Sequence, residues 1–137
     1  MEQTHIGSCL CNAVKFEVKG EFKKFFLCHC SRCRKSSGSA HCSNLFAPGA
    51  KLTWLSGQDK LSFYKHPDTN FARQFCSICS SLVPIYVEAR DIVTVPAGSL
   101  DSDVEILPQA HIFTDSKGNW DKVINDVPCY EKMLRLD

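Results

Sequence analysis

Cys28-His29-Cys30-Ser31-Arg32-Cys33 places three thiols within six residues. Two further tight groups lie on either side of it: Gly7-Ser8-Cys9-Leu10-Cys11 and Phe75-Cys76-Ser77-Ile78-Cys79. Seven of the nine cysteines therefore sit in clusters, and Cys42 and Cys129 stand apart. Thiols one or two residues apart are poorly placed to pair with each other as structural disulfides but well placed to converge on one metal. The first residues include Glu2 and His5 and contain no apolar signal-like stretch. The expectation is a reduced, metal-binding protein of the cytoplasm.

The pairs Cys9/Cys11 and Cys76/Cys79 read as two halves of one four-cysteine zinc site of the structural kind. Joining them ties the first strands to the middle of the chain. Metal binding then becomes folding free energy, about 10–16 kcal/mol in zinc-finger peptides. The middle cluster offers Cys28, Cys30 and Cys33 with no obvious fourth ligand. Three protein ligands and one open position is the arrangement of a catalytic zinc. The alternative is a closed second structural site, with Cys42, Cys129 or His41 folding back as the fourth ligand. Otherwise Cys42 and Cys129 read as small buried hydrophobes. His29, between two ligands, points away from the metal and is structural or solvent-facing. Arg32, Arg34 and Lys35 beside the open cluster either grip substrate carboxylates or compensate thiolate charge on a solvated turn.

Around these clusters the 137-residue chain reads as one domain. Its 44% hydrophobic and 23% charged residues exclude a disordered or fibrous protein. No apolar run reaches the roughly 18 residues of a membrane span. The formal charge of +1 turns slightly negative once seven thiolates and two divalent zincs are counted, which argues against nucleic acid and membrane surfaces as partners. Val14, Phe16 and Val18 alternate with Lys15 and Glu17, as in a half-buried strand. Phe25–Leu27, Leu52/Trp54, Leu61/Phe63, Leu82–Val87 and Ile92–Val95 also have strand character, and Ser31–Ser37 reads as a short helical turn. Trp120–Leu136 is mixed and supports no assignment. The fold class is mainly β, with short strands and many turns.

Taken together the motifs resemble the glutathione-dependent formaldehyde-activating enzyme family, also called the centromere-protein-V-like family. Gly7-Ser8-Cys9-Leu10-Cys11 resembles its opening G-x-C-x-C, and Cys28 to Arg34 its central C-H-C-x-x-C-R. Arg73-Gln74-Phe75-Cys76-Ser77-Ile78-Cys79 resembles R-x-F-C-x-x-C. Trp54, Gly57, Leu61 and Tyr64, then Gly98, Leu100, Pro108, His111, Lys117 and Trp120, fit more loosely.

The resemblance implies a single Mss4-like domain of coiled antiparallel sheets over residues 5–130, with 131–137 as a C-terminal extension. It implies two zincs per chain: a structural one on Cys9, Cys11, Cys76 and Cys79, and a catalytic one on Cys28, Cys30 and Cys33. The implied activity is that of a carbon–sulfur lyase, joining the thiolate of glutathione to formaldehyde or a related small aldehyde. One departure stands out. Ser80 replaces the glycine that usually follows the last cysteine, and a different turn is expected there. The competing readings are a non-catalytic zinc module that carries glutathione adducts or binds a protein partner, and a rubredoxin-like iron site.

Overall fold

The computed structural model describes residues 3–136. The chain forms three small sheets. The first contains β1 (Gln3–Ser8), β2 (Lys15–Gly20) and β5 (Lys51–Ser56), in that order and antiparallel. The second contains β3 (Lys24–Cys28), β4 (Cys42–Pro48), β9 (Ile85–Val87), β10 (Ile92–Pro96) and β11 (Ala110–Ile112). Its order is β11-β3-β4-β10-β9, antiparallel except where β11 runs parallel to β3. The third contains β6 (Leu61–Lys65), β7 (Ala72–Cys76) and β8 (Leu82–Val83), in the order β6-β7-β8. One helix, α1 (Ser31–Ser37), follows β3 directly. The mainly β class and the helical turn at Ser31–Ser37 agree with the sequence reading.

The main core lies between the first and second sheets. Phe16 and Val18 point inward from β2 while Lys15 and Lys19 point out, the period-two alternation of a half-buried strand. They meet Phe25, Leu45, Ala47, Val93 and Val95, with Leu52 and Trp54 at the margin. Burying each such side chain stabilises by about 1.5–3 kcal/mol. β1 must come very close to this core: a Cβ on Gly7 would collide with the Phe16 ring and the Ser99 carbonyl. A second, smaller cluster of Cys9, Val14, Cys76 and Val83 joins the first sheet to the third.

Two sequence expectations change. The apolar run Leu82–Val87 is not one strand. Pro84 has no N–H to continue a ladder, and it divides the run into β8 of the third sheet and β9 of the second. This break lets a single short run bridge two sheets. Ser80 keeps the left-handed turn, at φ 62°, instead of forming a different one. Its N–H donates to the Cys76 carbonyl at 2.8 Å, and its hydroxyl donates to the Cys79 carbonyl at 2.6 Å. Trp120–Leu136 forms no strand or helix, and residues 122–136 are all exposed.

Candidate metal centres and the cavity beside them

The thiols converge into two sets. In each, every sulfur lies within 4.8 Å of the others. The first is Cys9, Cys11, Cys76 and Cys79; the second is Cys28, Cys30 and Cys33. All nine cysteines are free of disulfides. The first set joins the loop after β1 to the turn after β7. Its Sγ separations include 3.6 Å for Cys9–Cys11 and 3.9 Å for Cys11–Cys76. A tetrahedral ion with zinc–sulfur bonds of about 2.3 Å needs sulfurs about 3.8 Å apart. The donor set and its dimensions therefore fit zinc.

Backbone amides also point at the sulfurs. Val14 N–H donates to Cys9 Sγ at 3.2 Å, and Ile78 N–H to Cys76 Sγ at 3.4 Å. Donors to sulfur favour the thiolate, the form that binds metal. At Cys79 the Ser81 hydroxyl, helped by the Ser81 backbone, lowers the thiol to about 5. The second set is built on the β3–α1 junction. Cys28 ends β3, Cys30 caps α1 and Cys33 lies one turn into it. Cys30 Sγ accepts the Cys33 N–H at 3.3 Å. Burial pushes Cys30 up, but the Cys33 amide and the hydrogen bonds from Cys33 and Cys28 outweigh it, leaving Cys30 below its ordinary value. Burial raises Cys28.

The two sets differ in surroundings. Cys28, Cys30 and Cys33 line a cavity of about 850 Å³, whereas Cys9, Cys11, Cys76 and Cys79 do not. The cavity lies between the second sheet and the third. Cys42, Asn44, Phe46 and Thr94 come from the former, and Arg73 and Val83 from the latter. Phe113, at a positive φ of 56°, sits in the wall as well.

The other sequence candidates distribute unevenly. Arg32 is exposed and lines the cavity. Arg34 turns away and donates from Nε to the Ser116 carbonyl at 2.9 Å. Lys35 is exposed and does not line the cavity. None of Cys42, Cys129 and His41 joins the three-thiol set. Cys42 is buried in the cavity wall, while Cys129 is exposed rather than buried. His29 is 2% exposed, so it is structural and not solvent-facing. One ring nitrogen shares a 2.8 Å hydrogen bond with His111 Nδ1, and the other lies 3.2 Å from Asp121 Oδ2. Burial, then the neighbouring His41, lowers its affinity for a second proton.

Arg73 and Phe71 were not singled out by sequence as site residues. The Arg73 guanidinium lies over the Phe71 ring, 4.1 Å from its centroid, and Arg32 lies 6.0 Å from the same ring. The signal for Arg73 was present in the strand period. Counting back from Cys76, position 73 falls on the opposite face of β7, away from the four-thiol set and toward the cavity.

A family model described as glutathione-dependent formaldehyde-activating enzyme matches residues 4–116. The chain belongs to that family. A structural-genomics crystal structure of a Rhodobacter sphaeroides protein shares the fold with a TM-score of 0.60 at 20% identity, covering 77% of this chain and 98% of its own. No curated protein matches the chain. Among the described residues, no helix is long and apolar enough to cross a membrane.

Proposed function

We propose that the protein is a zinc-dependent carbon–sulfur lyase of the cytoplasm that joins the thiol of glutathione to formaldehyde or a closely related aldehyde. The observation that carries this reading is the asymmetry of the two thiol sets: four sulfurs closed on one another at a junction of sheets, and three sulfurs opening onto a cavity. In this reading Cys9, Cys11, Cys76 and Cys79 hold a structural zinc, and Cys28, Cys30 and Cys33 hold the catalytic one. A zinc there supplies Lewis acidity and holds an incoming thiol as thiolate near neutral pH.

The chain's own residues do the rest. Three thiolates fix the ion at the cavity wall and leave one side free for a soft ligand. The cavity lies within the usual size range of small-molecule sites, roughly 300–1,000 Å³. Arg32 and Arg73 put two guanidinium groups in the wall near Phe71. That placement suits a ligand bearing two carboxylates, as glutathione does. Arg34 and Lys35 stay outside this arrangement. The reaction forms one S–C bond. The carbonyl π pair moves to oxygen, and the proton released by the thiol ends on that oxygen. The product is S-hydroxymethylglutathione.

The test is calorimetry on zinc-loaded protein in buffers of different ionisation enthalpy. Glutathione should bind with proton release, and S-methylglutathione, which keeps both carboxylates, should bind much more weakly. Equal affinity without proton release would remove the basis for thiol activation. Formation of the adduct, followed by NMR, must also exceed the uncatalysed rate.

A further inference from the structure

Cys42 sits beside the three-thiol set without belonging to it. It opens β4 directly across from Cys28 in the β3–β4 register and is 7% exposed. Its sulfur lies among several polar neighbours, the Cys33 thiol and the Ser36 side chain included. The thiol donates to the Cys33 carbonyl at 3.3 Å, and Arg73 Nη2 donates to the sulfur at 3.4 Å. The same Nη2 lies 3.4 Å from Cys33 Sγ. The guanidinium is itself fixed, by the Phe71 ring beneath it and by Nη1 donating to the Ala72 carbonyl at 3.0 Å. Arg73 therefore acts as a clip between one sulfur of the set and one sulfur outside it.

A fourth cysteine this close to a three-thiolate ion is a hazard for an enzyme. Sulfur is a better zinc ligand than water. If the Cys42 thiol gave its proton to solvent and its thiolate displaced a bound water, the centre would become a closed four-thiolate site with no place for substrate. We infer that Arg73 is the positioning residue that holds Cys42 off the metal and so keeps the fourth coordination position open. The inference rests on reading Cys28, Cys30 and Cys33 as a metal centre, and it adds to that reading what decides between an open and a closed ion. Arg73 suits the task because its planar, permanently charged fork engages both sulfurs while stacked on an aromatic ring.

Cadmium-113 NMR of the fully loaded protein tests this, because the resonance position reports how many thiolates surround each ion. Wild type should give two well-separated resonances, one from four thiolates and one from three. In Arg73→Gln the second should move to the four-thiolate position. Glutathione affinity should fall about tenfold or more, as the open state drops to about a tenth of the population. Adding Cys42→Ser to Arg73→Gln should return the resonance to the three-thiolate position, while the affinity should recover only in part, because Arg73 also lines the cavity where a substrate carboxylate would bind. An unmoved second resonance in Arg73→Gln would overturn the inference. Cys42→Ser alone provides a check that does not need the Arg73 variant to fold: the second resonance should stay in place, and a shift would show that Cys42 already ligates the metal and overturn the inference. If glutathione leaves the wild-type spectrum untouched while Arg73→Gln still shifts it, the glutathione reading fails and the role of Arg73 stands.

Discussion

Asp121→Ala should destabilise the protein more than any other single change in the last seventeen residues. Asp121 is 4% exposed, and every residue from 122 to 136 is exposed. Its Oδ2 lies 3.2 Å from His29 Nδ1 inside the protein. Burial disfavours a second proton on His29, and the nearby carboxylate favours the tautomer with its hydrogen on Nδ1. Nδ1 carries the hydrogen facing Asp121, and Nε2 accepts from His111 Nδ1 across 2.8 Å. The His29–Asp121 pair is close but poorly aligned for a hydrogen bond. Because both groups are buried and close, their contact is worth about 2 kcal/mol, in the lower part of the range for hydrogen bonds to charged groups. For a chain of this size that corresponds to a fall in melting temperature of about 8 °C. Asp121→Asn keeps an acceptor and loses the charge, so about half the effect should remain. Thermal melts of the zinc-loaded variants, followed by near-ultraviolet circular dichroism, measure both. Ending the chain after Asn119 should cost about as much as Asp121→Ala. Melts of both Asp121 variants within 1 °C of wild type, roughly a quarter kcal/mol, would refute this account of how the tail is held.

Mild chelation should remove about one zinc per chain, from Cys28, Cys30 and Cys33, and leave circular dichroism native; simultaneous loss of both metals with unfolding, read by metal analysis, would contradict the division of the sites. In the same assay Cys30→Ala should fold and carry about one zinc, whereas Cys76→Ser should lose solubility, because Cys76 is fully buried where the first and third sheets meet. Ser80→Gly should stabilise by about 1 kcal/mol, since a left-handed conformation costs a non-glycine residue about that much; denaturant unfolding with an unchanged or lower midpoint would refute it. His5 is 4% exposed against the Phe22 ring, and burial holds it below its ordinary value of 6.5. The folded protein therefore binds fewer protons than the unfolded one in that range, so stability rises with pH and is lost as pH falls below about 6.5. His5→Phe should lose less stability than wild type between pH 7.5 and 5.5, and parallel losses would show that His5 does not contribute.

The sequence made legible those elements whose burial follows one simple period. β2 is the clearest, with Phe16 and Val18 inward between lysines. β1 escaped notice because its inward residues are His5 and Gly7, a polar ring and a residue without a side chain. β4 escaped because both its faces are covered: Leu45 and Ala47 enter the core while Asn44 and Phe46 face the cavity, so no alternation of polarity remains. The cysteine sets were legible because metal ligation demands close thiols, and close thiols are visible as spacing. The cavity wall was not, since it brings β4, β7 and β10 together across distances that no local period records. Arg32, Arg34 and Lys35 were grouped by nearness in sequence. One turn of helix separates their directions, and Arg32 alone of the three reaches the cavity.

The same physical argument explains why the two thiol sets have such different surroundings. The four-thiol set joins two segments far apart in the chain, so a metal held there would close a long loop, and its value would be greatest with no free position on the ion. Val14 and Val83 pack against it, and its four cysteines do not line the cavity that Cys28, Cys30 and Cys33 line. The three-thiol set comes from one continuous segment, Cys28 to Cys33, whose shape is already set by the end of β3 and the cap of α1. A metal there adds little to the topology, so an open position costs little stability. The neighbouring elements then determine what can occupy that position. β4 brings Cys42, β7 brings Arg73, and the segment before β7 brings Phe71. If the three thiols hold a catalytic metal, its chemistry would be open to change through residues outside the ligand set, whereas a structural metal on the four-thiol set would allow no such freedom without loss of the fold.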